Sequence, residues 1–312
     1  MEFIDLERSA KEISNDRNGE LASVIIKEML HVDILRALSN SDIGGQIVFQ
    51  GGTALRLCYG GNRYSEDLDF VTSNSMGDFD KPLFKEFEKV FINTMKKKYN
   101  LEAEFDYPKN EDNLVQKWTA KILLPTERKK TKINIEICRI PSYDYGVKTI
   151  ENFYKIKGSN YLDPILLNVE SLDEILADKI IAFGARAYMK YRDLWDIKWL
   201  TDKNIQINQD LIDKKIIDYK IEDFQGKVKE KLEIMNNENL LDGFKSEISR
   251  FLPIDVYNKI VRFNMFDDIK KAVNNCCDKL PYDLDKSVTI SFDDDIIKRE
   301  PNNDLSLEQQ RQ

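Results

Sequence analysis

The stretch Gly51-Gly52-Thr53-Ala54-Leu55-Arg56-Leu57-Cys58-Tyr59-Gly60-Gly61-Asn62-Arg63-Tyr64-Ser65-Glu66-Asp67-Leu68-Asp69-Phe70 decides how this chain is read. It runs from a glycine turn through a short helix to two aspartates one residue apart. Asp67-Leu68-Asp69-Phe70-Val71 has the alternation of a β-strand. Side chains alternate across a strand, so Asp67 and Asp69 share one face and Leu68 and Phe70 point to the core. Two like charges held side by side repel, and a divalent cation relieves that repulsion. Carboxylate and phosphate oxygens are the ligands that suit Mg²⁺ (Mn²⁺ is the close alternative).

Working outward, Gln46 to Gln50 reads as a short buried strand ended by Gly51-Gly52, with Ala54 to Tyr59 as the helix that follows. Residues 20 to 39 carry apolar side chains at helical spacing, and so do Lys81 to Tyr99 through Phe84, Phe87, Phe91 and Met95. Gln116 to Leu124 and Lys132 to Ile140 read as a hairpin around the loop 125 to 130. In its second strand Ile133, Ile135 and Ile137 share one face, while Asn134, Glu136 and Cys138 share the other. Glu136 alone is a solvent-facing residue of a half-exposed sheet. Beside a two-aspartate strand it becomes a third metal-site carboxylate.

A linker with Gly158, Ser159, Asn160 and Pro164 leads to Ser171-Leu172-Asp173-Glu174, a capping-box pattern that predicts a helix through about Met189. On it Lys179, Ala182, Phe183 and Arg186 fall on one face. Helical pattern continues, with breaks, to about Asn275. The expected organisation is an α/β domain over 1–165, a helical domain over 166–277 and a polar, partly disordered tail over 278–312, with Ser287 to Phe292 as a short strand.

Composition narrows the function. The chain has 312 residues, 42% hydrophobic and 33% charged, and no apolar run nears the roughly 18 residues of a membrane span. No secretory signal opens the sequence, and Cys58, Cys138, Cys276 and Cys277 lack metal spacing, so a cytoplasmic protein with reduced thiols is expected. His31, the one histidine, lies in an apolar helix and is read as structural, which sets aside histidine-based zinc sites and a Ser-His-Asp triad. The net charge of −8 argues against a broad nucleic-acid binder. Lys96-Lys97-Lys98 and Arg128 to Lys132 are local candidates for backbone contacts, each read first as a solvated helix end or hairpin tip.

These residues suit phosphoryl or nucleotidyl transfer, which is mostly positioning and charge neutralisation. Asp67, Asp69 and Glu136 would hold metal, and Glu136 would activate the acceptor hydroxyl. Amides of the helix after Gly51-Gly52-Thr53 would cradle a phosphate, with one bond from the Thr53 hydroxyl. Lys179 and Arg186 would hold the triphosphate. Each signal is weak alone; their order along the chain carries the reading.

Phe49 to Leu55 with Arg63 to Phe70 resembles the first motif of the AbiEii/AbiGii toxin family, within the polymerase-β-like nucleotidyltransferase superfamily. Ile133-Asn134-Ile135-Glu136-Ile137 is similar to its second motif. Glu174 to Lys179, Arg186, and Arg192-Asp193-Leu194-Trp195-Asp196-Ile197 are similar to its later ones. The likeness covers roughly residues 20 to 200. It implies an α+β fold, a polymerase-β-like domain with a small mixed sheet flanked by helices, followed by a mainly helical C-terminal domain. It also implies a metal-binding Asp67 and Asp69, a nucleotide-contacting Lys179, and a catalytic or nucleotide-site role for Asp193 and Asp196. Without it, those last two read as i, i+3 surface ion-pair partners of Arg192 and Lys198. From their place beside the metal strand, Arg63 and Ser65 either orient its aspartates by hydrogen bonding or serve a purely structural role. The resemblance further implies the toxin half of a toxin–antitoxin pair, some members acting in abortive infection and phage defence, a cognate antitoxin, a nucleoside triphosphate donor and an RNA acceptor, tRNA foremost. One departure is Gly52-Thr53 where the superfamily usually has Gly-Ser; threonine keeps the hydroxyl. A small-molecule or protein acceptor, and a non-catalytic nucleotide-binding regulatory module, stand as alternatives.

Overall fold

Apolar periodicity shapes each element, and its phase fixes which face the element buries. The computed structural model describes residues 3–14, 22–73, 78–110, 113–154, 163–237 and 239–280. Helices α1 (Leu6–Ile13) and α2 (Ala22–Ser39) lead into β1 (Ile47–Gln50), α3 (Gly51–Tyr59) and β2 (Leu68–Thr72). Then come α4 (Leu83–Tyr99), β3 (Ala103–Asp106), β4 (Val115–Ile122), β5 (Thr131–Pro141), β6 (Tyr145–Thr149) and β7 (Leu166–Glu170). The remainder is helical: α5 (Leu172–Ala185), α6 (Tyr191–Asp202), α7 (Gln209–Asp218), α8 (Phe224–Asn237), α9 (Leu241–Ile248), α10 (Ile254–Arg262) and α11 (Phe266–Cys277).

The strands form one mixed sheet in the order β3-β4-β5-β2-β1-β7-β6. β2 runs antiparallel to β1 and parallel to β5, and β7 runs parallel to β1. This is the α+β arrangement with a mixed sheet and flanking helices that the sequence predicted. One face, with Phe49, Leu68, Phe70, Ile133, Ile135 and Ile137, belongs to the main core together with α2 and α4. The opposite face carries Asp67, Asp69, Asn134 and Glu136, then a small apolar cluster of Val48, Val71, Cys138 and Ile140 with Tyr219 packed on it.

Several expectations need correction. α3 begins at Gly51 rather than Ala54, since Gly51 turns the chain with φ +75 and helical bonding starts there. The predicted helix through Met189 ends at Ala185, where Arg186 leaves the helical region (ψ 144). The Ser171 hydroxyl accepts from Glu174 N–H as a capping box requires, but Glu174 turns its carboxylate to the loop amides of Tyr143 and Asp144. The boundary after residue 165 leaves β7 on the helical side although it pairs with β1. Residues 3–280 fall within one compact unit, Met1–Leu280. The linker residues Gly158, Ser159 and Asn160 and the strand expected over Ser287 to Phe292 lie outside the described residues, as does the tail from 281. Among the described residues no helix is long and apolar enough to cross a membrane. All four cysteines are free.

Candidate active site

β2 and β5 bring the acids together through their register. Asp69 sits opposite Glu136 across the parallel pair and opposite Gln50 across the antiparallel pair. Asp67 directly precedes β2, and its carboxylate accepts a 2.9 Å hydrogen bond from the Asn134 amide, which accepts in turn from Thr119. Asp69 shows the electrostatic result. Burial, then the charges of Asp67 and Glu136, push its carboxyl up to about 6, against the pull of Lys179 and Arg192. A carboxyl burdened by two like charges is what a bound cation would relieve, so the donor set fits a hard divalent ion. Among the described residues no three His, Cys, Asp or Glu side chains close on one point. The reason is visible: Asp67 is turned to Asn134, and Glu136 pairs with half-exposed Lys117 at 2.8 Å. That surface pair is weak and exchangeable.

Glycine is required at two places here. A Cβ on Gly51 would lie 2.8 Å from Asp69 Oδ2, in a residue already at positive φ, and one on Gly52 would lie 2.2 Å from Arg63 Nη2. The backbone of α3 therefore starts directly against the carboxylate strand. No side chain of Gln50 caps that helix, and of its first turn Gly51 lines a cavity while Gly52 and Thr53 are buried. Thr53 is different from expectation. Its buried hydroxyl donates to the Asp67 carbonyl, tying α3 to the start of β2, so it is committed to positioning and not open to phosphate.

Lys179, Arg186, Asp193 and Asp196 come together in a largely buried ionic cluster. Lys179 Nζ lies 3.0 Å from Asp193 Oδ1 and 2.8 Å from Asp196 Oδ2. Burial disfavours its charge, yet Asp196 and Asp193 outweigh that and hold the ammonium above its ordinary range. Arg186 pairs with the other Asp193 oxygen. Asp196 accepts a two-pronged pair of 2.5 Å bonds from Arg63 Nε and Nη2. Burial works against the Asp193 and Asp196 carboxylates, but Lys179 with Arg186, and Arg63 with Lys179, hold them below the usual range. Neither is a surface partner of Arg192 or Lys198: Lys198 pairs with Asp202, and Arg192 lies over the Phe251 ring. Arg63 does not orient Asp67 or Asp69; it clamps Asp196 beneath Gly52.

A cavity of about 500 Å³ joins Asp69 and the Gly51 turn to Lys179 and Arg186. The sheet side contributes Gln50, Gly51 and Asp69, and α5 contributes Asp178, Lys179, Ala182 and Arg186. The segment after α7 adds Tyr219, Lys220, Ile221 and Lys227. Gly52, Thr53, Asp67, Glu136, Asp193 and Asp196 stand outside that lining. Sequence reasoning missed Gln50, Asn134, Lys117 and the Tyr219–Lys227 segment. The Asn134 parity with Glu136 was the one signal that could have found any of them. His31 is structural in the way expected: its ring is fully buried, bonded to the Glu66 carbonyl, and pushed down to about 4 by burial.

A mixed sheet carrying carboxylates beside a glycine-opened helix is the arrangement of a nucleotidyltransferase. The family model "Nucleotidyl transferase AbiEii toxin, Type IV TA system" matches residues 33–286. The chain belongs to the AbiEii family of nucleotidyltransferase toxins of type IV toxin–antitoxin systems. Among solved structures it is similar to MenT4, the nucleotidyltransferase toxin Rv2826c of Mycobacterium tuberculosis H37Rv, with TM-score 0.54 and 17% identity over 88% of this chain and 94% of that one. A putative nucleotidyltransferase from H. pylori follows at TM-score 0.49 and 18% identity, covering 82% and 97% of the two chains. At 17% identity the likeness to MenT4 concerns the fold. No curated protein sequence matches significantly.

Proposed function

We propose that the chain is a Mg²⁺-dependent toxin that transfers a nucleotide from a nucleoside triphosphate to the end of an RNA, tRNA foremost, in a cytoplasmic defence system held in check by a cognate antitoxin. The observation that carries this reading is the single cavity in which Asp69, the Gly51 turn, Lys179 and Arg186 meet. In the reaction an acceptor hydroxyl oxygen bonds the α-phosphorus, the bond from that phosphorus to the bridging oxygen breaks, and pyrophosphate leaves. A divalent ion, when bound, lowers the charge barrier between the approaching oxygens and the phosphate. Asp67 and Asp69 are the residues to hold it, with Glu136 joining them on release from Lys117. Asn134 keeps Asp67 turned to one orientation. The Gly51 turn at the start of α3 faces the triphosphate, and Arg186, the more exposed of the two cations, meets its outer phosphates. Lys179, held between Asp193 and Asp196, supplies fixed positive charge to the cavity. Asp193 acts as a positioning residue for both cations, and Asp196 for Lys179 and Arg63. Glu136, once released from Lys117, takes the acceptor proton.

Purified protein incubated with each labelled triphosphate and total RNA, followed by separation of RNA, protein and small molecules, tests the reading. Label in RNA is expected. Label in protein or a small molecule would replace the acceptor, for which the acidic net charge of −8 is the one favouring feature. Tight triphosphate binding without pyrophosphate release would point to a regulatory module instead.

A further inference from the structure

The cavity's charged groups account for a triphosphate and leave part of its lining unused. Ala182, Ala185 and Ile221 present an apolar surface beside Lys220 and Lys227, backed by buried Ile175 and Ile181. Ligand sites of this size combine such a surface with a few polar groups that fix orientation. A flat, weakly polar ring edged with hydrogen-bonding groups is the ligand that suits it. The segment that follows α7 is also built to a fixed shape. Lys220 (φ 53) and Asp223 (φ 46) both adopt left-handed conformations without being glycine. Ile221 N–H bonds Ile216 C=O and Lys220 N–H bonds Ile217 C=O, each at 3.0 Å, and the Asp223 carboxylate accepts from Gly226 N–H. The bond from Ile221 N–H to Ile216 C=O is a C-terminal cap of α7, and it fixes the direction in which Lys220 and Ile221 leave that helix beside the cavity. Gly184 sets the register of α8 below them, since a Cβ there would lie 2.7 Å from both Phe224 and Val228. Lys227 is thereby placed at the cavity wall.

We infer that the α7–α8 segment is the base-reading element of this enzyme: the nucleobase of the donor triphosphate lies on the α5–Ile221 surface, and Ile221 and Lys227 set which base is taken. Lys220 and Lys227 offer donors to ring carbonyls. This deepens the proposed function and rests on it. A terminal nucleotide of the RNA acceptor has the same chemistry, and binding separates the two sources.

The test uses the full chain and its Ile221→Ser and Lys227→Gln variants. Dissociation constants are measured for α,β-methylene analogues of the four triphosphates and for tripolyphosphate. The unsubstituted chain should prefer one base by about tenfold, the worth of one well-placed contact. Each variant should shrink that ratio at least about threefold while tripolyphosphate affinity stays within about twofold. Unchanged ratios, or equal weakening of all four analogues and tripolyphosphate, would overturn the inference. So would a changed preference for the RNA's terminal base with donor preference intact. Absence of triphosphate binding by the unsubstituted chain would overturn the proposed function along with it.

Discussion

Asp69 is closely hemmed in by its neighbours. Its carboxyl is crowded by Asp67, Glu136 and the Gly51 backbone, and burial with those charges lifts it to about 6. Gly51→Ala adds a Cβ 2.8 Å from Asp69 Oδ2 at a positive φ. We expect at least a hundredfold loss of transfer, roughly what a 1 Å misplacement costs, with circular dichroism unchanged. His31 offers a separate titration. Its folded value of about 4 lies below the ordinary 6.5 because burial disfavours the imidazolium. Its contribution to stability is therefore complete above pH 6.5 and is lost as pH falls towards 4, by about 3 kcal/mol. As the chain's one histidine, it gives one imidazole NMR signal, which should not titrate between pH 5 and 8. His31→Asn should flatten the acid slope of stability over pH 4 to 6.5.

At the level of elements, the Arg63–Asp196 pair joins the α3–β2 loop to α6 through two 2.5 Å bonds. Removing one partner of a buried ion pair strands the other charge. Asp196→Ala should cost about 3–5 kcal/mol in a denaturant melt and depress transfer through the displaced Gly52 backbone. Strand parity and helical periodicity made much of this legible. The two-aspartate strand, the Glu136 strand and the helix of Lys179 follow from local spacing. β7 and the short α1 escaped because neither carries enough alternation or length to stand out from its neighbours. The burial of Asp193 and Asp196 was invisible for another reason. Their partners Arg63 and Lys179 come from distant elements, and i, i+3 spacing reads only local pairs. The Thr53 bond to the Asp67 carbonyl is equally non-local.

Over the whole molecule, sheet and helices share one core: Phe49 and Ile135 from the strands belong to the same cluster as Leu194, Phe244 and Val273. Lys215, fully buried, ties α7 to Glu170 of β7 and to Glu174 and Asp178 of α5 at 3.3, 2.8 and 2.8 Å. Burial and the Asp178 charge hold Glu170 well above the carboxylate range, while the three acids outweigh burial to hold Lys215 charged. Thermal unfolding of residues 1–280 should thus be one transition by circular dichroism and tryptophan fluorescence alike. A chain ended after residue 165 lacks β7 and should not give a cooperative melt; two separable transitions would restore the two-domain division. The catalytic assignment meets its most direct test in one assay: release of pyrophosphate from triphosphate and RNA by the intact protein and by Asp69→Asn at equal concentration and matched melting temperature, with and without Mg²⁺. Release that needs Mg²⁺ and vanishes in Asp69→Asn is the expected result. Full release by Asp69→Asn, or release indifferent to Mg²⁺ in the intact protein, would contradict it.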